Sequence, residues 1–409
     1  MTISESGLQA DVTRRLVRAA GGYEDELTSL LDDLGLERTT DILVSEVCFR
    51  ADPLPLAVPM LVELVLAHGG ATTTRVFRVA CDQAPAVVDE PARLAVMRLE
   101  YRLADLVREL FGPPVRRPGL CRTRLFPHAP EGGGVPALMR FYDSGLEYPV
   151  FLHTAQQASE AVLSGCAVRS PALERLAVKH FSDKWGSLHW FAPHYERHFA
   201  RLRGEPVRVL EIGIGGYGHP SAGGGSLKMW KHYFNRGHIY GLDIFDKSHL
   251  DQQRITTIRG DQNDPAQLSD IAREYGPFDV VIDDGSHVNE HIRTSFSTLF
   301  SHVRPGGVYV IEDLWTAFVP GFGGAEDPAD YHATSVGLLK ALVDVLQHEE
   351  QPQGGAYADP AVGDEARTGV TGLHVYHNIA FLEKGRNEEG GVPSWVPRSI
   401  DALVPPGDR

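Results

Sequence analysis

Apolar residues recur at helical spacing from residue 7 to about 36. The alternation that follows predicts a strand over 42–49 and then a short apolar helix over 59–67. A second strand is predicted over 72–80 and a helix over 91–111, an α+β pattern without a chemical motif. Residues 112–136, GPPVRRPGLCRTRLFPHAPEGGGVP, are dense in proline and glycine and read as a long loop or a mobile excursion. Apolar stretches resume at 136–142 and 148–153, and we place a boundary near residue 165. An auxiliary α+β domain over 1–165 thus precedes a larger domain over 166–409.

Beyond the boundary, strands alternate with helices, the signature of a parallel sheet with crossover connections. Strands are predicted at 207–213, 238–243, 254–261, 278–284 and 308–313, and helices at 226–234, 265–275, 290–302 and 331–349. The segment LHVYHNIAFLEKG reads as a closing hairpin that turns at His377 and Asn378. The fold class is therefore α/β, doubly wound and Rossmann-like.

Composition narrows the partners. A chain of 409 residues exceeds one ordinary core, which agrees with two domains. Its 39 basic against 54 acidic residues give a net charge of -15, which argues against nucleic acid and anionic membranes. Cys48, Cys81, Cys121 and Cys166 are scattered, so neither a disulfide framework nor a zinc knuckle is expected, and a reducing cytoplasm fits. The longest apolar run, 54–67, is interrupted by Pro59 and Glu63 and falls short of the ~18–20 residues of a membrane span. No cationic stretch leads into an apolar one at the N-terminus, so a cytoplasmic protein is expected.

The first strand of the second domain runs into VRVLEIGIGGYG, where Glu211, Gly213, Gly215 and Tyr217 occupy the turn that a nucleoside cofactor approaches. An ordinary glycine turn or a dinucleotide site would look similar. The next strand ends at Asp243, suited to ribose hydroxyls, and the third leads to Asp261 and Gln262, placed to bracket an adenine. Asp264 reads as a helix N-cap. A pyrophosphate-binding loop runs straight into its helix, whereas GYGHPSAGGGSLKMW inserts a long loop before Ser226. That favours a cofactor without phosphates over NAD.

The fourth and fifth strands end VVIDDGSH and VYVIEDLW. As neighbours in an open sheet their ends lie ~5 Å apart, so Asp284, Glu312 and Asp313 converge. Carboxylates so close repel one another unless a cation lies between them, and oxygen ligands favour magnesium or manganese over zinc. Asp284 would border both metal and cofactor, while Asp283 should point the other way and brace the following loop. His287, a short way past Asp284, is the candidate general base; the plainer readings are helix caps for the acids and a solvated loop for the histidine. A metal-bound hydroxyl and an imidazole base suffice to generate an alkoxide, and a sulfonium leaving group needs no acid.

Taken together, FSDKWGSLHWFAPHYERH, VLEIGIGGYG, GGGSLKMWKHYF, YGLDIFDKS, GDQND, VIDDGSHVNEHIRTSF and GGVYVIEDLWTAF resemble the macrolide deoxysugar O-methyltransferases over at least residues 170–385. The resemblance implies a class I methyltransferase domain with a seven-stranded, mostly parallel sheet. S-adenosylmethionine would be the methyl donor, Asp284, Glu312 and Asp313 the Mg2+ ligands, and His287 the base. It also implies that Ser182 lies near the cofactor, and that a homotetramer forms in which the N-terminal domain supports assembly and helps shape the acceptor pocket. The implied acceptor is the 2''-hydroxyl of a 6-deoxyhexose on a macrolide. The competing readings are an NAD-dependent oxidoreductase and a non-catalytic ligand-binding or assembly protein. His180, His189, His194 and His198 are irregularly spaced and read as packing or surface residues, and Trp185, Trp190 and Tyr195 as core aromatics. Trp315 and Phe318 could face an apolar acceptor, and PGFGGAEDP has the glycines of either a mobile lid or an ordinary surface loop.

Overall fold

The computed structural model describes residues 5–113, 121–125, 127–128, 141–166, 172–186, 188–216, 219, 222–350, 362–388 and 390–399. Tyr217, expected in the cofactor loop, and most of the Pro/Gly-rich stretch lie outside the described residues. The chain divides into two compact units. One comprises Met1–Val207, Gly225–Ile239 and His249–Thr256; the other comprises Arg208–Gly224, Tyr240–Ser248 and Thr257–Arg409. Residues 166–207 and two short later segments thus fall in the first unit.

The first unit opens with α1 (Glu5–Ala20), α2 (Glu24–Leu34) and α3 (Leu36–Arg50). It continues with β1 (Met60–His68), β2 (Ala71–Val79), β3 (Ala86–Val88), β4 (Met97–Arg102), α4 (Leu103–Phe111) and β5 (Arg122–Leu125). Then come α5 (Tyr148–Cys166), α6 (Leu173–His180) and α7 (Ala192–Phe199). The strands form a sheet in the order β3-β2-β1-β4-β5, with β1 antiparallel to β2 and parallel to β4. Leu16, Leu31, Leu43, Val62, Phe77 and Phe111 belong to one continuous core in this unit.

Three expectations for this region are corrected. Residues 42–49 are helical within α3, whose buried face includes Thr39, Leu43, Glu46, Val47 and Arg50. That set recurs at helical spacing, but two charged members hide the period when only apolar residues are tracked. Residues 59–67 are strand β1: flanked by β2 and β4 and buried along most of its length, it reads as an unbroken apolar run rather than an alternation. Residues 91–111 contain a 3-10 turn and strand β4 before helix α4 begins.

The other elements are β6 (Arg208–Ile212), α8 (Gly225–Tyr233), β7 (His238–Asp243), β8 (Ile255–Arg259), α9 (Pro265–Tyr275) and β9 (Phe278–Asp283). They end with α10 (Asn289–Leu299), β10 (Val303–Glu312), α11 (Ser335–Leu346), α12 (Asp364–Gly369), β11 (Val370–Tyr376) and β12 (Ile379–Lys384). The seven-stranded sheet runs β11-β12-β10-β9-β6-β7-β8, which confirms the doubly wound α/β class and the expected adjacency of β9 and β10. β9 is parallel to both β6 and β10, whereas β12 returns antiparallel to β10, the predicted closing hairpin. Asp264 caps α9, accepting from the backbone N–H groups of Ala266 and Gln267 at 2.9 and 3.1 Å. Among the described residues no helix is long and apolar enough to cross a membrane.

Candidate active site

Parallel pairing decides which strand-end side chains share a face. Glu211 on β6 is opposite Ile282 on β9, and Ile311 on β10 is opposite Asp283, so Glu312 continues the register toward Asp284. Glu211, Asp284 and Glu312 therefore project to one side, and alternation sends Asp283 to the other. The distances agree: one potential ligand atom from each of Glu211, Asp284 and Glu312 lies within 4.8 Å of the others. A second such group joins Asp284 to His287 and Asp313, with His287 Nε2 3.5 Å from Asp313 Oδ2. Asp284 is common to both. The structure thus gathers the expected acids and His287 and adds Glu211, which the sequence reading had placed only beside the cofactor.

This cluster is largely buried: Glu211 is fully buried, and Glu312 and Asp313 are 1% and 6% exposed. Carboxylates concentrated at a buried sheet edge repel one another unless a cation offsets them, and an oxygen-rich set suits a hard divalent ion. The donor set fits Mg2+. Two of the residues also hold unusual backbone conformations, with φ of 58° at His287 and 54° at Asp313. Non-glycine residues seldom occupy that left-handed region, and such strain persists where surrounding contacts impose it.

Asp283 is braced from the opposite side. Gln262 Nε2 donates to Asp283 Oδ1 and to Ser295 Oγ, each at 3.1 Å, and Gln262 Oε1 accepts the Ser286 N–H at 2.7 Å. Burial pushes the Asp283 carboxyl up to about 6 against the opposing hydrogen bonds from Ser295 and Gln262. Gln262 is itself buried, with its amide engaged in holding the turn that carries Asp284 and His287.

The cofactor edge is built by close backbone approach. Gly213 has φ 90°, and a Cβ there would lie 2.0 Å from the Asp284 carbonyl oxygen, so only glycine lets β6 leave the sheet beside that acid. Gly215 also has positive φ, but faces open space. Asp243 ties the loops together, its carboxylate accepting the Ile214 N–H at 3.0 Å and the Phe245 N–H at 2.9 Å. A carboxylate offers about four acceptor positions, so capacity for ribose hydroxyls remains. Asp261 accepts the Asn263 N–H at 2.8 Å.

Ser182 and Ser226 fall in the other compact unit. There the start of α8 abuts the end of α6, since a Cβ on Gly225 would come within 2.7 Å of the Phe181 carbonyl oxygen. Ser182 is 7% exposed and its N–H donates to Ala177 O at 2.9 Å. In the same unit Tyr195 is buried against Trp230, as expected of a core aromatic, but Trp190 is 61% exposed and packs edge-on to Trp185. His180 stacks on Phe49, the packing role expected for it. Trp315 and Phe318 are about half exposed, and each meets another ring, Phe322 and Tyr331 respectively. Asn289 Nδ2 donates to Thr316 O and Phe322 O, each at 3.0 Å, tying down the start of the glycine-rich segment beyond.

Sequence reasoning missed Asn378. Its Nδ2 donates to Asp313 Oδ1 at 2.9 Å and its Oδ1 accepts the Trp315 N–H at 2.8 Å. The hairpin itself was legible, but not that it turns directly over the acidic strand end.

An open α/β sheet with a glycine-cradled edge beside a carboxylate cluster and a histidine defines the class: the fold is that of a class I S-adenosylmethionine-dependent methyltransferase. Comparison with known proteins narrows this. Residues 13–119 match the sequence family described as MycE methyltransferase N-terminal. The chain is 53% identical over 400 residues to demethylmacrocin O-methyltransferase of Streptomyces fradiae, covering 97% of each. It is 50% identical over 390 residues to mycinamicin VI 2''-O-methyltransferase of Micromonospora griseorubida, covering 95% of this chain and 94% of the relative. A solved structure of the MycE methyltransferase from the mycinamycin biosynthetic pathway, in complex with Mg, SAH and mycinamycin VI, matches with a TM-score of 0.87 at 49% identity, across 96% of this chain and 98% of that one. The chain belongs to the family of macrolide deoxysugar O-methyltransferases.

Proposed function

We propose that this chain catalyses Mg2+-dependent methyl transfer from S-adenosylmethionine to a hydroxyl of a macrolide-borne deoxysugar, the 2''-hydroxyl of a 6-deoxyhexose being the favoured position. The observation that carries the reading is the pair of ligand groups sharing Asp284, one of which contains His287. Asp284, Glu312 and Asp313 are assigned to the metal, with Glu211 on the same face. When bound, Mg2+ acidifies a coordinated hydroxyl and S-adenosylmethionine supplies the methyl group. His287 Nε2 accepts the hydroxyl proton, and the Asp313 carboxylate 3.5 Å away stabilises the resulting imidazolium. Gln262 holds the turn that aims His287, and Asp243 closes the cofactor loop on Ile214. Gly213, Gly215 and Asp261 complete the proposed cofactor contacts within this unit.

Homotetrameric assembly belongs to the same proposal and rests on the family resemblance; light scattering on the purified protein reads it directly. A cytoplasmic location is supported by the free thiols of Cys48, Cys81, Cys121 and Cys166. The main test is transfer of labelled methyl to a panel of demethylated macrolides. EDTA should abolish turnover and Mg2+ restore it, and Asp284→Asn should lower kcat/KM by ~100-fold or more, the loss of ~2.7 kcal/mol expected when a charge-stabilising group is removed. Undiminished transfer in EDTA or in the variant would refute the metal assignment.

A further inference from the structure

We propose that Asn378 is a positioning residue for Asp313, setting the orientation of that carboxylate from the hairpin that closes the sheet; the proposal rests on the reading of the metal edge above. β12 pairs antiparallel with β10 and Ile379 is opposite Glu312, so the β11–β12 turn is delivered to Asp313 by register. Asn378 has φ 69°, a left-handed conformation that asparagine tolerates better than most residues. From there its main chain and side chain make three contacts with consecutive residues. Its carbonyl oxygen accepts the Leu314 N–H at 3.3 Å, Oδ1 accepts the Trp315 N–H at 2.8 Å, and Nδ2 donates to Asp313 Oδ1 at 2.9 Å.

The chemistry of the contacts specifies an amide. One end must accept from a backbone N–H while the other donates to a carboxylate, which a hydroxyl is too short to span and an aspartate has no donor to complete. The Trp315 indole Nε1 adds a second donor to the same Asp313 Oδ1, at 3.2 Å. Two N–H groups thus hold Oδ1 on the hairpin side, and Oδ2 is the oxygen 3.5 Å from His287 Nε2. Asp313 is also in the left-handed region, which aspartate, like asparagine, enters more readily than most residues, so these bonds act on its carboxylate rather than on its backbone. Hydrogen bonds to a ligating carboxylate fix its direction, and losing one commonly costs ~10-fold to 100-fold in metal affinity.

The variant Asn378→Gly tests this, because glycine accepts the positive φ and removes only the amide. Mn2+ binding to metal-free protein, read by electron paramagnetic resonance of the free ion, should weaken ~10-fold to 100-fold. The KM for S-adenosylmethionine and the melting temperature of the metal-free protein should stay at the wild-type values. Trp315→Phe, which removes the second donor but keeps a ring, should show a smaller loss in the same assay. His377→Ala alters the exposed neighbouring turn residue and should bind Mn2+ as the wild type does. Wild-type Mn2+ affinity in Asn378→Gly would overturn the proposal, as would an equal loss in His377→Ala, which would mark general hairpin damage. If the wild type itself bound no Mn2+, the metal reading would fail instead.

Discussion

Replacing Glu46 with glutamine should destabilise the first compact unit far more than any surface ion pair could. Glu46 is completely buried in α3, where Arg50 Nε donates to its Oε1 at 2.8 Å and the Arg254 guanidinium bonds both carboxylate oxygens. Lys231 Nζ lies 3.8 Å from Oε2 and 4.0 Å from the centre of the Phe49 ring. Burial alone would raise the Glu46 carboxyl, yet Arg254, Arg50 and Lys231 together hold it well below the ordinary range. Burial pushes Lys231 down to about 7, with Glu46 the attraction that opposes it and Arg254 and Arg50 adding repulsion. Glu46→Gln keeps the volume and leaves these buried cations without their carboxylate. Breaking such a group by removing one partner costs ~3–5 kcal/mol. At ~2–4 °C per kcal/mol for a unit of this size, the melting temperature should fall by roughly 6–20 °C. Urea and thermal unfolding at neutral pH measure the loss, and hydrogen exchange should locate it in α3 and α8. Glu46→Gln/Lys231→Met, which also removes the most readily neutralised cation, should lose less than the two single changes added together. A loss under ~1 kcal/mol, the range of an exposed pair, would refute the reasoning, as would strict additivity in the double variant.

Two further outcomes follow. Gly213→Ala should abolish S-adenosylmethionine binding in calorimetry and lower stability, because its Cβ would press on the Asp284 carbonyl at 2.0 Å in a backbone conformation that disfavours a side chain; unimpaired binding would contradict the proposed packing. Burial, with the nearby Lys179, Lys228 and Lys231, pushes His180 down from 6.5 to about 4, and burial, with Lys179, Arg50 and His180 against the opposing Glu46, pushes His232 down to about 2. These folded-state values lie below the unfolded ones, so the unfolded chain takes up the protons first. Stability is therefore fully present above pH 6.5 and falls as pH drops toward 5, by ~1.4 kcal/mol per pH unit for each histidine. Urea midpoints across that interval should slope in the wild type and flatten in His180→Gln/His232→Gln; equal slopes would exclude these histidines as the cause.

How much of this could be read beforehand depended on whether the signal was local. Asp284, Glu312 and Asp313 were legible because parallel strands deliver their terminal residues to one edge, and β9 and β10 are neighbours. Glu211 needed the register as well: only its pairing with Ile282 puts it on the Asp284 face. Asn378 was visible as a turn residue, but its bond to Asp313 depends on the antiparallel return of β12 over β10. In the first unit the rule that charge marks the surface misled at α3, where Glu46 and Arg50 are inside. The same rule in reverse misplaced Trp190, an aromatic that is mostly exposed.

The buried Glu46 group also sets an order in time. Its first member lies in α3, but Lys231 and Arg254 are added about two hundred residues later, as the segments Gly225–Ile239 and His249–Thr256 that complete the same unit. During synthesis at ~5–20 residues per second, Glu46 waits on the order of ten seconds or more for those cations. Until then a carboxylate destined for the interior has only Arg50 beside it. A nascent chain stopped at residue 207 would leave that interior charge short of two partners, so the first unit is complete only once the chain has passed residue 256.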